Sequence, residues 1–176
     1  MKLIRLSDKD RAEAANGAYK TYKKCHNWWV KNSWKGREPV MHTYYSGYLG
    51  EAAYCKYVGI KYKFVFNPYG GDGGVDVKDA QIKTLTWSGP NKQLKIDINR
   101  DKCITNPDVK NIFLMYIDEE SKNLDVYIVG HISKQDFINK SVYNPNFYCN
   151  TVDESDLIKP NDWYRDSKGS PSTLYW

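Results

Sequence analysis

The chain reads as one mixed α/β domain, an α/β or α+β sandwich with a mixed central β-sheet flanked by helices. Three features lead there. Two segments near the N-terminus repeat apolar residues at helical spacing, residues 111–117 and 124–129 are nearly continuous apolar runs of strand length, and glycine-rich punctuation separates shorter alternating segments between them. With 176 residues, 41% hydrophobic and 27% charged, the chain can bury one real core and falls among globular rather than disordered sequences.

Taken in order, Ser7 or Asp8 can cap a helix starting near Lys9, with Ala12, Ala15, Ala18, Tyr19 and Tyr22 along one side and an end near Cys25. Residues 26–39 interleave Trp28, Trp29 and Trp34 with Lys31, Lys35 and Arg37, and Gly36 and Pro39 mark them as an irregular connection. Ser46 is expected to cap the second helix, whose stripe is Leu49, Ala52, Ala53 and Tyr57 and whose stop is Gly59; Glu51 lies at the edge of that stripe. Residues 61–66 alternate as a strand, and 67–74 form a glycine-rich loop. Residues 75–77 and 80–84 then make two short strands of a tight hairpin turning at Lys78 and Asp79.

Residues 87–106 are a polar passage with one further strand expected at 94–98. The two apolar runs follow as central buried strands, joined by an acidic turn at Asp118, Glu119 and Glu120. Ser133, with Asp136 three residues on, opens a short helix to about Lys140. From Asn144 onward loops packed by aromatics are expected, loosening at residues 169–171.

No apolar run approaches the ~18 residues of a membrane span and the N-terminus does not read as a signal peptide, so a cytoplasmic protein is expected. Cys25, Cys55, Cys103 and Cys149 form no CxxC pair and read as reduced thiols. The net charge of +5 suits a polyanionic partner, and 15 Tyr and 6 Trp can either fill a core or stack on unpaired bases. Lys20, Lys23, Lys24, Lys31, Lys35 and Arg37 form the most basic segment, a candidate for DNA phosphate contact, with Trp34 and its neighbouring tryptophans beside it. A solvated helix face is the alternative reading of those charges. His26 and His42 lie in the same aromatic, basic passages and read as surface or interface residues, with DNA contact the alternative, whereas His131 reads as a structural hydrogen-bonding residue.

Residues 47–84 hold polar groups that a fold alone does not require. Side chains alternate along a strand, so Gln81 and Lys83 share one face while Ala80 and Ile82 take the other, and Asp76 can reach the first face from across the hairpin. Hydrolysis of a phosphodiester needs an activated water and compensation for charge on the phosphate. Mg²⁺ takes oxygen ligands and retains waters, so two carboxylates with an amide or backbone oxygen suffice to hold it. Glu51, Asp76, the Gln81 side-chain oxygen and the Ile82 carbonyl are the candidate ligands; Lys83 would orient the water and offset negative charge. Asp72 reads either as support for the glycine loop or as an auxiliary ligand. Glu51 also reads as a solvated helix residue, Asp76 as a turn acid, and Gln81 and Lys83 as the exposed face of an edge strand.

The segment GGDGGVDV followed by QIKT resembles the signature of PD-(D/E)XK nucleases, and most nearly the Mrr-type restriction endonucleases, where GxGGxD precedes QxK. The upstream GYLGEAAYCKYVGIKYKFV resembles the first helix and strand of archaeal Holliday junction resolvases, which carry a metal-binding Glu there. Residues 111–137 resemble the later sheet and helix of such enzymes more loosely. The resemblance implies a restriction-endonuclease-like core in a single domain 1–176, with an N-terminal helix and basic, aromatic segment at 1–45, the catalytic core at 46–140 and an irregular tail at 141–176. It makes Glu51 the helix acid, Asp76 the metal-bridging acid, Gln81 the position usually held by Asp or Glu, and Lys83 the motif lysine. The implied activity is Mg²⁺-dependent DNA cleavage, with Mn²⁺ able to substitute, by a restriction-like or phage-type degradative endonuclease acting as a homodimer. A Holliday junction resolvase and a catalytically inactive DNA-binding relative are the alternatives. Gln81 departs from the acidic norm and motivates the second of these.

Overall fold

The computed structural model describes residues 1–31, 40–64, 76–86 and 92–160. Strand β1 (Lys2–Ile4) opens the chain; at three residues it is too short to show a period, and the sequence reading has no strand there. Helix α1 (Asp8–Lys31) starts with a reciprocal cap. The Ser7 hydroxyl accepts the Asp10 N–H at 3.2 Å and the Asp10 carboxylate accepts the Ser7 N–H at 3.0 Å. The helix continues past Cys25 to Lys31, because no glycine or proline interrupts residues 18–31.

Helix α2 (Met41–Tyr57) begins well before the expected cap, with Val40 at its N-cap and no side-chain capping bond. Ser46 lies inside the helix, its hydroxyl donating to the His42 carbonyl one turn back at 3.0 Å. The C-terminus ends as the glycine predicts. Gly59 takes φ +71°, its N–H donates to the Lys56 carbonyl, and the Ile60 N–H reaches the Cys55 carbonyl at 2.8 Å, a complete Schellman closure.

Residues 61–64 form no strand. Phe64 is held by the helices instead: its N–H donates to Glu13 at 3.2 Å and its ring meets Tyr48 edge-on at 5.0 Å. The remainder of that expected strand, like the glycine-rich loop with Asp72, lies outside the described residues.

Of the expected hairpin, the described residues form a Val77–Ala80 bridge leading into β2 (Ala80–Leu85), and Val75 lies outside them. Then come β3 (Gln93–Ile96), the short helix α3 (Lys102–Thr105), β4 (Asn111–Asp118), β5 (Asp125–Ser133) and α4 (Lys134–Lys140). Ser133 caps α4, accepting the Asp136 N–H at 3.0 Å. Residues expected to form an irregular tail are partly regular: β6 (Val142–Asn144) and β7 (Cys149–Asp153) make a hairpin, followed by a 3-10 turn at Glu154–Asp156. Its Asn-Pro-Asn turn chemistry was legible, but its strands are too short for a periodic signal.

Two sheets result. The first is mixed, in the order β1-β5-β4-β2, with β2 parallel to β4 and the other pairs antiparallel. The second is antiparallel, in the order β3-β7-β6. Residues of β4 alternate between two cores. Phe113, Met115 and Ile117 pack with Leu49, Ala52, Ala53 and Tyr54 of α2, while Ile112 and Leu114 pack with Leu94 and Ile96 of β3, Val152 of β7 and Phe137 of α4. Burial on both faces is why this run is apolar without alternation. The molecule is therefore layered as long helices, mixed sheet, and a small second sheet with two short helices. No helix among the described residues is long and apolar enough to cross a membrane.

Candidate functional site

Strand β2 has β4 on one side and no strand on the other among the described residues. That outer edge is where the predicted polar groups gather. The Ile82 N–H donates to Asp76 Oδ2 at 2.5 Å, and the Gln81 amide nitrogen donates to the same oxygen. The Gln81 amide also lies 3.5 Å from the Ile82 carbonyl oxygen. A residue's N–H and C=O leave a strand on the same side, so Asp76, the Gln81 amide and the Ile82 carbonyl form one cluster. Gln81 is only 6% exposed, so it is not the solvated face of an edge strand. Its burial is tolerable because the carboxylate satisfies it.

Asp76 is aimed by a strained turn. Lys78 takes φ +54°, a conformation that costs on the order of 1 kcal/mol for a residue with a Cβ. The turn is held by the Asp76 and Val77 N–H groups, both donating to the Ala80 carbonyl, and by the Ala80 N–H donating back to Val77. Backbone strain of this kind concentrates at functional sites.

Lys83 continues the Gln81 face and makes a 2.7 Å ion pair with Asp101, a residue the sequence reading passes over. Asp101 is the N-cap of α3 and also accepts the Cys103 N–H at 3.0 Å. Burial alone raises its carboxyl pKa, but the hydrogen bond and charge of Lys83 and the Cys103 N–H outweigh this and lower it. The Cys103 thiol is pushed up to about 12, by burial first and then by Asp101, with Lys83 opposing and Asp76 adding to the rise. The helix-capping Asp was visible as sequence; its pairing with a lysine 18 positions away was not.

Glu51 follows Gly50 on α2, and Gly50 is where that helix touches β2. A Cβ added at Gly50 would lie 2.2 Å from Thr84 Oγ1 and 3.4 Å from Ile82 Cγ2, so only glycine allows this approach. Glu51 is half-buried, and its charge helps raise the pKa of Tyr62 and of Cys55, which burial and Glu51 push up to about 11.

On α1, residues 20, 23, 24 and 31 fall within about a 100° arc at 100° per residue. Extending the helix to Lys31 therefore brings Lys20, Lys23, Lys24 and Lys31 onto one face, and Trp28 beside them is 54% exposed. Lys35, Arg37 and Trp34 lie outside the described residues. His42 pairs with Glu119 at 2.5 Å, tying α2 to the β4–β5 turn. His131 is buried and stacks on Phe113 at 5.0 Å, and its backbone bonds Ile158 in both directions. All four cysteines are free thiols.

Together these elements describe a mixed α/β protein with an acid, a carboxamide and a lysine along one strand edge. Among the described residues no group of three or more His, Cys, Asp or Glu side chains could hold a metal ion. Neither the family models, nor the curated proteins, nor the solved structures compared with the chain give a match.

Proposed function

We propose that the chain is a Mg²⁺-dependent DNA endonuclease of the PD-(D/E)XK type, restriction-like or degradative, with a restriction-endonuclease-like core. The carrying observation is the convergence of the Asp76 carboxylate, the Gln81 amide and the Ile82 carbonyl beside Lys83. An amide N–H₂ between two oxygens sets a partially positive, neutral edge in an oxygen-lined cradle. A half-turn about the last Gln81 torsion presents Oε1 in its place, giving the all-oxygen donor set that suits a hard divalent ion. Asp76, Gln81 and the Ile82 carbonyl would hold it, Glu51 completing the set from α2. Bound Mg²⁺, or Mn²⁺ in its place, would supply a water acidified for attack and compensation for phosphate charge.

The protein's own groups do the rest. The Ile82 N–H and the Val77–Ala80 bridge hold Asp76 in place. Lys83, steadied by Asp101 at 2.7 Å, carries a positive charge on the same strand face, suited to a phosphate oxygen or the attacking water. A homodimer fits the chemistry, since one such site cuts one strand. A Holliday junction resolvase would use the same site, and comparison of a four-way junction with linear duplex separates the two.

One observation favours a second reading, a nuclease-fold DNA-binding protein without turnover. The direct Gln81–Asp76 hydrogen bond satisfies the acid with no cation, and a carboxamide brings one negative charge fewer to the site. The test is cleavage of supercoiled, linear and single-stranded DNA across Mg²⁺ and Mn²⁺ titrations, for the parent and for Asp76→Ala and Lys83→Ala. The nuclease reading expects metal-dependent cleavage lost by at least ~100-fold in both variants; tight binding with no cleavage in any metal selects the second reading. Cleavage retained in both variants sinks the site.

A further inference from the structure

The turn that ends in Asp101 has another side. Its residues line an open cleft of about 380 Å³ with Asp97, Asn99 and Arg100 on one wall and Tyr143 and Tyr148 on the other. The turn is built by the Arg100 and Asp101 N–H groups, which both donate to the Asp97 carbonyl, the latter at 2.8 Å. Asp101 therefore faces Lys83 while its neighbours face the cleft. The cleft thus lies across one turn of backbone from the carboxylate that pairs with Lys83.

The aromatic wall is presented outward. Tyr143 is 56% exposed, Phe147 48% and Tyr148 78%, large apolar rings that gain nothing from the core. Tyr148 takes φ +50°, in the left-handed region where glycine or asparagine sits without cost. A strained tyrosine with its ring in solvent serves no packing purpose. Cations border the rings: Lys95 Nζ lies 3.3 Å from the Phe147 ring centroid, and Arg100 is 88% exposed at its side chain. The acid in the wall is already compensated. Asp97 accepts the Asn99 N–H at 3.0 Å and faces Arg100 Nε at 3.7 Å.

We propose that this cleft binds unpaired nucleotides of a DNA strand, with bases stacking on Tyr148 and Tyr143 and phosphates meeting Arg100 and Lys95. Open ring faces with bordering cations are what a single strand requires, whereas the base faces of a duplex are already stacked. The choice of DNA rests on the nuclease reading, and the substrate it implies is DNA with a single-stranded flank or gap beside the scissile phosphate.

The experiment measures anisotropy of a labelled oligothymidylate of about ten nucleotides, without divalent metal so that binding is read apart from cleavage. Tyr148→Gly removes the ring and the strained φ together, so it cannot act by weakening the turn; Tyr143→Ser removes the second ring on an exposed edge strand. Each is expected to weaken single-strand binding about tenfold and to leave duplex binding unchanged. Arg100→Gln should lower the log-log salt slope by about 0.7. Asp76→Ala should bind the single strand as the parent does. The proposal is overturned if both tyrosine variants bind like the parent, if the parent prefers duplex, or if oligouridylate binds ten times tighter than oligothymidylate. Tyrosine-dependent binding with no cleavage in Mg²⁺ or Mn²⁺ leaves the cleft standing and removes the nuclease. Cleavage that needs Asp76 but ignores both tyrosines removes the cleft alone.

Discussion

Asp101 shows how much one residue can join. It caps α3, steadies Lys83, and closes the turn whose other residues line the aromatic cleft. Asp101→Asn keeps a capping oxygen but removes the charge, so the ion pair is lost while the cap survives. Because the pair is only about a quarter exposed, at 28% for Lys83 and 24% for Asp101, we expect a loss of about 1 kcal/mol in chemical denaturation. The pH dependence has a fixed sign. The folded carboxyl pKa is lowered, so this contribution is present above the unfolded value near ~4 and is lost as pH falls through the folded one. Asp101→Asn should flatten the acid limb of the stability profile. An unchanged acid limb would mean that the pair adds nothing. In the nuclease assay the same variant should lower kcat more than KM, since Lys83 keeps its charge and loses its anchor.

At the scale of elements, the packing of α2 on β2 sets the position of Glu51 relative to the strand. Alanine normally improves a helix over glycine by ~1 kcal/mol, but at Gly50 its Cβ meets Thr84 Oγ1 at 2.2 Å, and the β-branched threonine is stiff. Overpacking should win, with Gly50→Ala losing about 1–3 kcal/mol. The Thr84 hydroxyl is buried with no hydrogen-bond partner among the described residues, so Thr84→Ala alone should be mild. The double variant should recover to within ~0.5 kcal/mol of Thr84→Ala, as read by urea denaturation. Persistent destabilisation in the double variant would place the clash elsewhere. Other elements were legible where local chemistry decides them: the Ser133 cap, the Gly59 stop and the two central strands. The start of α2 was not. Ser46 has the chemistry of a cap, yet it serves equally well bonded to a carbonyl one turn back.

Over the whole molecule, two positively bordered surfaces flank the sheet, one on α1 and one at the cleft. With Lys20, Lys23, Lys24 and Lys31 on one face of α1, replacing Lys23 and Lys31 by Gln should reduce the log-log salt slope of duplex binding by about 0.9 for each phosphate that is no longer neutralised. An unchanged slope would assign that face to solvent. If both surfaces engage one DNA, duplex lies along α1 and the unpaired strand along the second sheet.

What depends on neighbours in the chain could be read from residue order alone. The buried runs, the helix punctuation and the alternation that puts Gln81 and Lys83 on one face are set by periods of two and 3.6. The cluster of Asp76 with Gln81 was within reach because a tight turn separates them. Which distant groups meet was decided by the folded arrangement. Lys83 finds Asp101, and the β6–β7 hairpin brings Tyr143 and Tyr148 to the turn at Asp97. Such pairings rest on how β3, β7 and α3 pack beneath the mixed sheet, and packing obeys shape and burial summed over many side chains rather than any spacing along the chain.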